Sequence, residues 1–392
     1  MNIVVVGGCG HVGLPLAVSL AEQASKVTAF DTNPVAVGLV NSGKAPFYEV
    51  QLDAQLSRRI NQTFFATGEP AIVSTADTVI MVVGTPLDVH LNPDPSAVVK
   101  AVEEIIPFLR DGQLLILRST VFPGVTSRVE SLLVSANKKI TVAFCPERIV
   151  EGAAMQELRE LPQIIGVRTD TAFGLASEVF ALLGVQVYRT TPEEAELAKL
   201  FTNTWRYIKF AAANQFWMLS NSAGVEYENV RKAIKFDYPR AKDLPGAGFS
   251  AGPCLFKDTM QLHAFSGNHF PLGNSAMLVN EGLPDYIVER LKLRLDLQNL
   301  TIGILGMAFK GDSDDSRSSL SYKLKRILRF EAKVVLTSDP FVLNDVDLVD
   351  QEYLLDQADI LIIAAPHSQY ASISTTKPVI DLWNQLGQGT LV

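Results

Sequence analysis

Residues 3–31 read IVVVGGCGHVGLPLAVSLAEQASKVTAFD, and this stretch decides the fold. A β-branched run, Ile3–Val6, enters a glycine loop, an apolar helical segment follows to about Ala24, and a second strand, Lys26–Phe30, ends in Asp31. Gly8, Gly10 and Gly13 therefore lie between a strand and a helix, with an acid after the next strand. This is the dinucleotide fingerprint in the context it requires. Gly8 permits the tight turn, Gly10 lets backbone approach a pyrophosphate, and Gly13 lets helix and strand pack closely. Val12 completes the loop, and the helix N-terminus then faces phosphate. Asp31 suits the hydroxyls of an adenosine ribose. No arginine follows at once to take a 2′-phosphate, so the cofactor reading is NAD rather than NADP.

Strands go on alternating with helical segments. Thr78–Val83 ends in Gly84-Thr85-Pro86, Gln113–Leu117 in Arg118-Ser119-Thr120, and Ile140–Phe144 in Cys145-Pro146-Glu147-Arg148. In a doubly wound sheet ligands lie beyond the carboxyl ends of the strands, so these clusters are expected to line one crevice. Each alone is ordinary turn chemistry; their recurrence carries the reading. Strands at Gln163–Val167 and Val185–Tyr188 complete an N-terminal domain over residues 1–190.

The longest helical pattern runs from Pro192 to Gly224. Thr191 suits the N-cap, Pro192 the first turn, Glu193, Glu194 and Glu196 the positive end of the dipole, and Gly224 the C′ position. Lys199 and Asn203 share one face of it, and alone they are two polar residues on a scaffold. Apolar residues on most sides predict burial between domains or subunits, and polar interruptions exclude a membrane span. The helical domain extends over 191–297. Within it, Cys254 follows Pro253 in a first helical turn, where the dipole favours a thiolate, and Asp258 lies one turn on. A lone cysteine is more often a small buried hydrophobe, the reading that Cys9 and Cys145 keep. A second α/β unit over 298–392 opens with Thr301–Leu305. Its loop GMAFKGDSDDSR (306–317) lacks GxGxxG, which argues against a second dinucleotide site. Lys310 and Arg317 are suited to hold phosphates.

The 392 residues are 47% hydrophobic and 19% charged, a soluble globular composition for two or three domains. A net charge of −8 does not invite nucleic acid. Three widely spaced cysteines make neither a disulfide framework nor a metal site and fit a reducing cytoplasm. The first residues read as a strand, not as a leader.

GGCGHVGLPLA, VGTP, STVFPGVT, CPERIVEG, EAELAKLFTNTWR, GAGFSAGPCLFKDT and GMAFKGDSDDSR occur in this order. Together they resemble the nucleotide-sugar 6-dehydrogenases, a family that includes UDP-glucose 6-dehydrogenase and the UDP-N-acetylhexosamine and GDP-mannose dehydrogenases. The resemblance implies an α/β protein with two Rossmann-like doubly wound domains joined by a long central helix that carries a homodimer contact. It implies a UDP-hexose substrate whose C6 alcohol becomes a carboxylate with two NAD, through a thiohemiacetal and a thioester. By resemblance Cys254 is the nucleophile and Asp258 the group positioning water and proton. Lys199 and Asn203 stabilise oxyanions, and Thr120 and Glu147 serve the first step. Asp31, Thr85, Thr120, Glu151, Lys257 and Arg317 are implied cofactor contacts. Glu147, Arg148, Lys199, Asn203, Arg240, Phe249, Ser250, Ala251, Gly252 and Lys310 are implied substrate contacts, Arg240 reaching the partner subunit's substrate. Cys254-Leu-Phe-Lys257-Asp258 resembles the UDP-glucose branch, whereas Pro146-Glu147-Arg148 and Asn203-Thr-Trp-Arg206 resemble the N-acetylhexosamine branch. The catalytic loop sits closest to the sugar, so the expected substrate is UDP-glucose, with a UDP-N-acetylhexosamine or TDP-glucose as the alternative. Remoter readings are a two-electron hydroxyacid dehydrogenase, which leaves Cys254 and Asp258 without purpose, and a non-catalytic nucleotide-binding protein.

Overall fold

The computed structural model describes all residues except 25, 86–93, 95, 250, 251, 268 and 391, so the expected contacts Ser250 and Ala251, and Pro86, lie outside the described residues. The first sheet contains β1 (Asn2–Val6), β2 (Lys26–Phe30), β3 (Phe64–Thr67), β4 (Thr78–Met81), β5 (Leu114–Leu117), β6 (Thr141–Phe144), β7 (Gln163–Gly166) and β8 (Val187–Thr190). Their order is β3-β2-β1-β4-β5-β6-β7-β8. All neighbours are parallel except β6 and β7, which meet antiparallel at Phe144 and Gly166. β4 and β5 are buried at every residue, as central strands covered on both faces must be. Alternate residues serve opposite cores. Val5, Ile80 and Ile116 pack with Leu14, Leu16 and Val179, whereas Val4, Val79 and Leu115 pack with Val98, Val102 and Val129.

The second sheet is parallel, with β9 (Thr301–Leu305), β10 (Val334–Ser338), β11 (Ile360–Ile363) and β12 (Val379–Asp381) in the order β10-β9-β11-β12. By compactness the chain divides into Met1–Thr202 and Asn203–Val392. In the second unit Trp217, Tyr227, Leu283 and Ile287 share one core with Ile302, Ile304 and Ile362, so the helical segment and the sheet fold as one body.

The central helix spans Pro192–Ser222 without a break. Thr191 and Glu194 form a capping box: the Thr191 N–H donates to the Glu194 carboxylate at 2.9 Å, and the Glu194 N–H to Thr191 Oγ1 at 3.4 Å. A Schellman motif ends the helix, with Gly224 at φ +67°, its N–H on Asn221 O at 3.1 Å and the Val225 N–H on Ser220 O at 2.9 Å. The expectation that the early glutamates serve this helix's own dipole holds only in part. Glu193 pairs with Arg168, and Glu196 reaches the start of another helix, accepting from the Gly124 and Thr126 amides at 2.6 and 2.8 Å. Among the described residues no helix is long and apolar enough to cross a membrane.

Candidate active site

The glycine loop after β1 shows what each glycine does. The tight turn falls on Gly7, not Gly8: Gly7 has φ +74°, and a Cβ there meets Val82 O at 2.1 Å. Gly8 lies where β1 packs on β2, with Ala29 Cα 2.7 Å from any added Cβ. Gly13 makes the expected close approach, a Cβ on it meeting Gly7 O at 2.2 Å, while nothing lies nearer than 3.8 Å to a Cβ on Gly10. Open space at Gly10, beside a tightly packed turn, fits a ligand's pyrophosphate. The Asp31 carboxylate accepts from the Cys9 and Asn33 amides, both at 3.0 Å, which places it at the edge of the glycine loop. His11 stacks on Phe47, ring centroids 4.0 Å apart. Burial, and then the Asp31 charge, push the Cys9 thiol up to about 12, so it stays protonated.

At the next strand ends the Val83 N–H donates to Ser119 Oγ at 2.9 Å, tying the segment after β4 to that after β5. Thr85 is buried and Thr120 half-buried. Arg118 is wholly buried. Its guanidinium pairs with Glu147 (Nε to Oε2, 2.8 Å), donates to Cys145 O at 3.1 Å and Gln163 Oε1 at 3.0 Å, and lies over the Phe180 ring. The other Glu147 oxygen accepts from the Arg148 and Ile149 amides at 2.6 and 2.9 Å. Glu147, expected as part of a proton-transfer system, thus has both oxygens engaged and anchors the loop. The Arg148 side chain donates to Pro162 O. Glu151 precedes Gly152, whose N–H, with that of Ala154, is held by Glu49 at 2.6 and 3.0 Å. Lys199 is buried on the central helix, one turn before Asn203.

The second unit gathers its own set. Asn203 Nδ2 donates to Asp258 Oδ2 at 2.6 Å, and Lys257 Nζ stands 2.8 Å from Asp258 Oδ1. Asp258 is 1% exposed, so the Asn203 hydrogen bond and the Lys257 charge compensate a buried carboxylate. Cys254, one turn earlier at the start of the helix Pro253–Phe265, is exposed. Gly252 caps that helix at φ +78°, and a Cβ on it meets the Phe309 ring at 2.5 Å; one on Gly248 meets the Trp383 ring at 2.3 Å. Residues 248 and 252 therefore lie against the segments that carry Phe309 and Trp383, and Phe249 between them is buried. This brings the thiol helix next to Lys310, which is half-buried. Arg317 forks onto Asp315 at 2.9 and 3.0 Å, and Arg240 is exposed over the Tyr238 ring at 5.9 Å.

Reading the residues in order missed Glu49, Asn214, Asp339 and His367, and it expected Arg118 in a crevice lining, whereas the side chain is buried on Glu147 and Gln163. Asn214 clamps Gly248 with both amide atoms, at 2.9 and 3.1 Å, and so sets the glycine-rich segment on the central helix. An aspartate directly after β10, as Asp31 comes directly after β2, was a signal available in the sequence.

A dinucleotide loop on a largely parallel sheet, a second parallel sheet, and an exposed thiol on the first turn of a helix are the parts of an NAD-dependent dehydrogenase. Three segments agree with this. Residues 1–183 match the NAD binding domain of the UDP-glucose/GDP-mannose dehydrogenase family, 193–282 its central domain and 303–388 its UDP binding domain; the chain belongs to that family. It is 30% identical to the UDP-N-acetyl-D-mannosamine dehydrogenase of Pyrococcus horikoshii, over 99% of this chain and 93% of the relative. It is also 30% identical to the NDP-N-acetyl-D-galactosaminuronic acid dehydrogenase of Ralstonia nicotianae, over 95% and 92%. The solved structure of a UDP-glucose dehydrogenase from Pyrobaculum islandicum aligns with a TM-score of 0.89 at 28% identity, covering 97% of this chain and 93% of that one.

Proposed function

We propose that the chain oxidises the C6 alcohol of a UDP-N-acetylhexosamine to the carboxylate, in a four-electron reaction through Cys254. The observation that carries the reaction is the exposed thiol at a helix start, one turn from a buried carboxylate held by Asn203 and Lys257. The sugar is argued from similarity. Relatives at 30% identity are named for N-acetylated sugars, and Pro146-Glu147-Arg148 and Asn203-Thr-Trp-Arg206 point the same way. This reading replaces the UDP-glucose expectation, which rested on the Cys254 loop.

Gly10, Val12, Gly13, Asp31 and Thr85 would hold NAD, with Glu151, Lys257 and Arg317 as further contacts. When bound, NAD supplies the hydride acceptor, two molecules per sugar. In the first step the C6 hydroxyl gives its proton to a water ordered by Thr120 as hydride leaves C6 for the bound cofactor, and the aldehyde forms; Glu147, fixed by Arg118, holds the loop beside it. The Cys254 thiolate adds to the C6 aldehyde, forming the C–S bond; Lys199 and Asn203 stabilise the oxygen's negative charge. Loss of the second hydride leaves a thioester. Water positioned by Asp258 then attacks it, the C–S bond breaks, and Cys254 departs as thiolate with the carboxylate formed, the two protons of the water leaving by way of Asp258 to solvent. Phe249, Gly252 and Lys310 hold the diphosphate, and Arg148 and Arg240 complete the substrate contacts.

NADH formation across UDP-N-acetylmannosamine, UDP-N-acetylglucosamine and UDP-glucose tests this. Two NADH per N-acetylhexosamine is expected. Preference for UDP-glucose would overturn the sugar, and one NADH with accumulating aldehyde would overturn the four-electron reaction. We further infer a homodimer through the central helix, where Trp205, Phe216 and Leu219 are 58%, 45% and 59% exposed.

A further inference from the structure

The loop that follows β9 lacks the GxGxxG pattern, yet it too is closely held. Gly306 has φ +94° and leaves 2.7 Å between an added Cβ and Ala365 N, and Gly311 leaves 2.3 Å to Pro366 O. The loop therefore runs flush along residues 365–368, after β11. Asp339, directly after β10, accepts from the Met307 and Ala308 amides at 2.6 and 2.9 Å. Its other oxygen accepts from Phe341 and Val342 at 2.8 and 3.1 Å. It occupies in this sheet the place of Asp31 in the first, but it faces inward.

His367, 0% exposed, joins Asp339 to the middle of the loop. Its Nε2 is 3.0 Å from Asp339 Oδ2, and its Nδ1 accepts from the Asp312 N–H at 2.9 Å. An amide N–H only donates, so Nδ1 carries the lone pair and the ring proton sits on Nε2, donated to Asp339. Phe341 and Tyr370 pack on the ring, at 5.0 and 5.2 Å between centroids. Asp312 closes the circuit by accepting from the Ser368 N–H at 2.8 Å and Oγ at 3.1 Å. Lys310 stands between the two pinned points, Ala308 and Asp312. A lysine is a flexible point charge, so its aim is set by the backbone that bears it.

We propose that His367 is a positioning residue for nucleotide binding: as the Nε2–H tautomer it fixes the 306–312 backbone, through the Asp312 amide, so that Lys310 is preset for a nucleoside diphosphate. The inference rests on reading this loop as the one that holds the substrate's phosphates. Preorganisation of this kind reduces the ordering cost of binding.

Two amide substitutions in the full-length chain separate the ring nitrogens. In His367→Asn, Oδ1 takes the place of Nδ1 and can still accept from Asp312; in His367→Gln, Nε2 takes the place of the ring Nε2 and only the Asp339 contact survives. UDP binding by calorimetry is expected to weaken roughly tenfold or more in the Gln variant and by less than about threefold in the Asn variant, with the KM for NAD unchanged in both. Equal UDP affinity in the two variants would overturn the proposal. Lys310→Ala tests the underlying reading: if it binds UDP like the parent, the loop assignment fails. If Lys310→Ala weakens binding and His367→Gln does not, the positioning role alone fails. Should the variants not fold, 15N spectra of the parent decide, since an Nδ1–H tautomer at His367 at neutral pH overturns the proposal.

Discussion

Asp258 is a buried carboxylate with an amide on one oxygen and an ammonium on the other, and Cys254 stands in water one turn away. That contrast fixes the expectations at this scale. Cys254→Ala is expected to lower uronate formation by on the order of a thousandfold or more, measured as NADH release. Lys199→Ala and Asn203→Ala, which remove oxyanion donors, are expected to lower kcat by about 100- to 1,000-fold with the KM for NAD little changed. Asp339 gives a pH expectation. Burial raises its pKa, but the His367 hydrogen bond and the Ala308 and Phe341 amides outweigh burial, leaving the folded value below the ordinary one. The unfolded chain then binds the proton more readily, so this carboxylate's stabilisation is complete above the usual Asp value of about 4 and is lost as pH falls through the folded value. Asp339→Asn is expected to cost on the order of 3 kcal/mol at neutral pH by chemical denaturation, a gap that narrows below about pH 4.

Among the elements, those defined by local chemistry were legible in the sequence. β2 and β9 lie where their β-branched runs put them, and the central helix runs from its Thr191 cap to the turn before Gly224. The fingerprint was legible because close backbone approaches admit only glycine, although the positive φ fell one residue earlier than expected. The burial of Arg118 was not legible: its place at a strand end put it among groups expected to line a crevice, and only Glu147 and Gln163, far along the chain, make its burial affordable. His367 and Asn214 escaped for the same reason, since their partners come from other elements. At the thiol helix, Gly252→Ala combines a disfavoured φ with a 2.5 Å approach to Phe309. It is expected to raise the KM for the nucleotide sugar roughly tenfold, with the KM for NAD as the internal control.

For the whole molecule, the exposed aromatic and aliphatic residues of the central helix carry the assembly prediction. Trp205→Glu combined with Leu219→Glu is expected to yield monomers at micromolar concentration by sedimentation, against dimers for the parent. The same helix has a consequence during synthesis. Met1–Thr202 forms one compact unit, contiguous in the chain, and can complete its sheet as soon as it leaves the ribosome. The half of the helix beyond Thr202 cannot, because Tyr207, Ala213 and Trp217 are buried in cores built with residues that follow them. At about 5–20 residues per second, the remaining chain to Val392 takes roughly 10 to 40 s to appear. Throughout that interval a finished domain carries the second half of its helix without the residues that will bury Tyr207, Ala213 and Trp217, and such transiently exposed apolar surface is what makes nascent chains prone to aggregate.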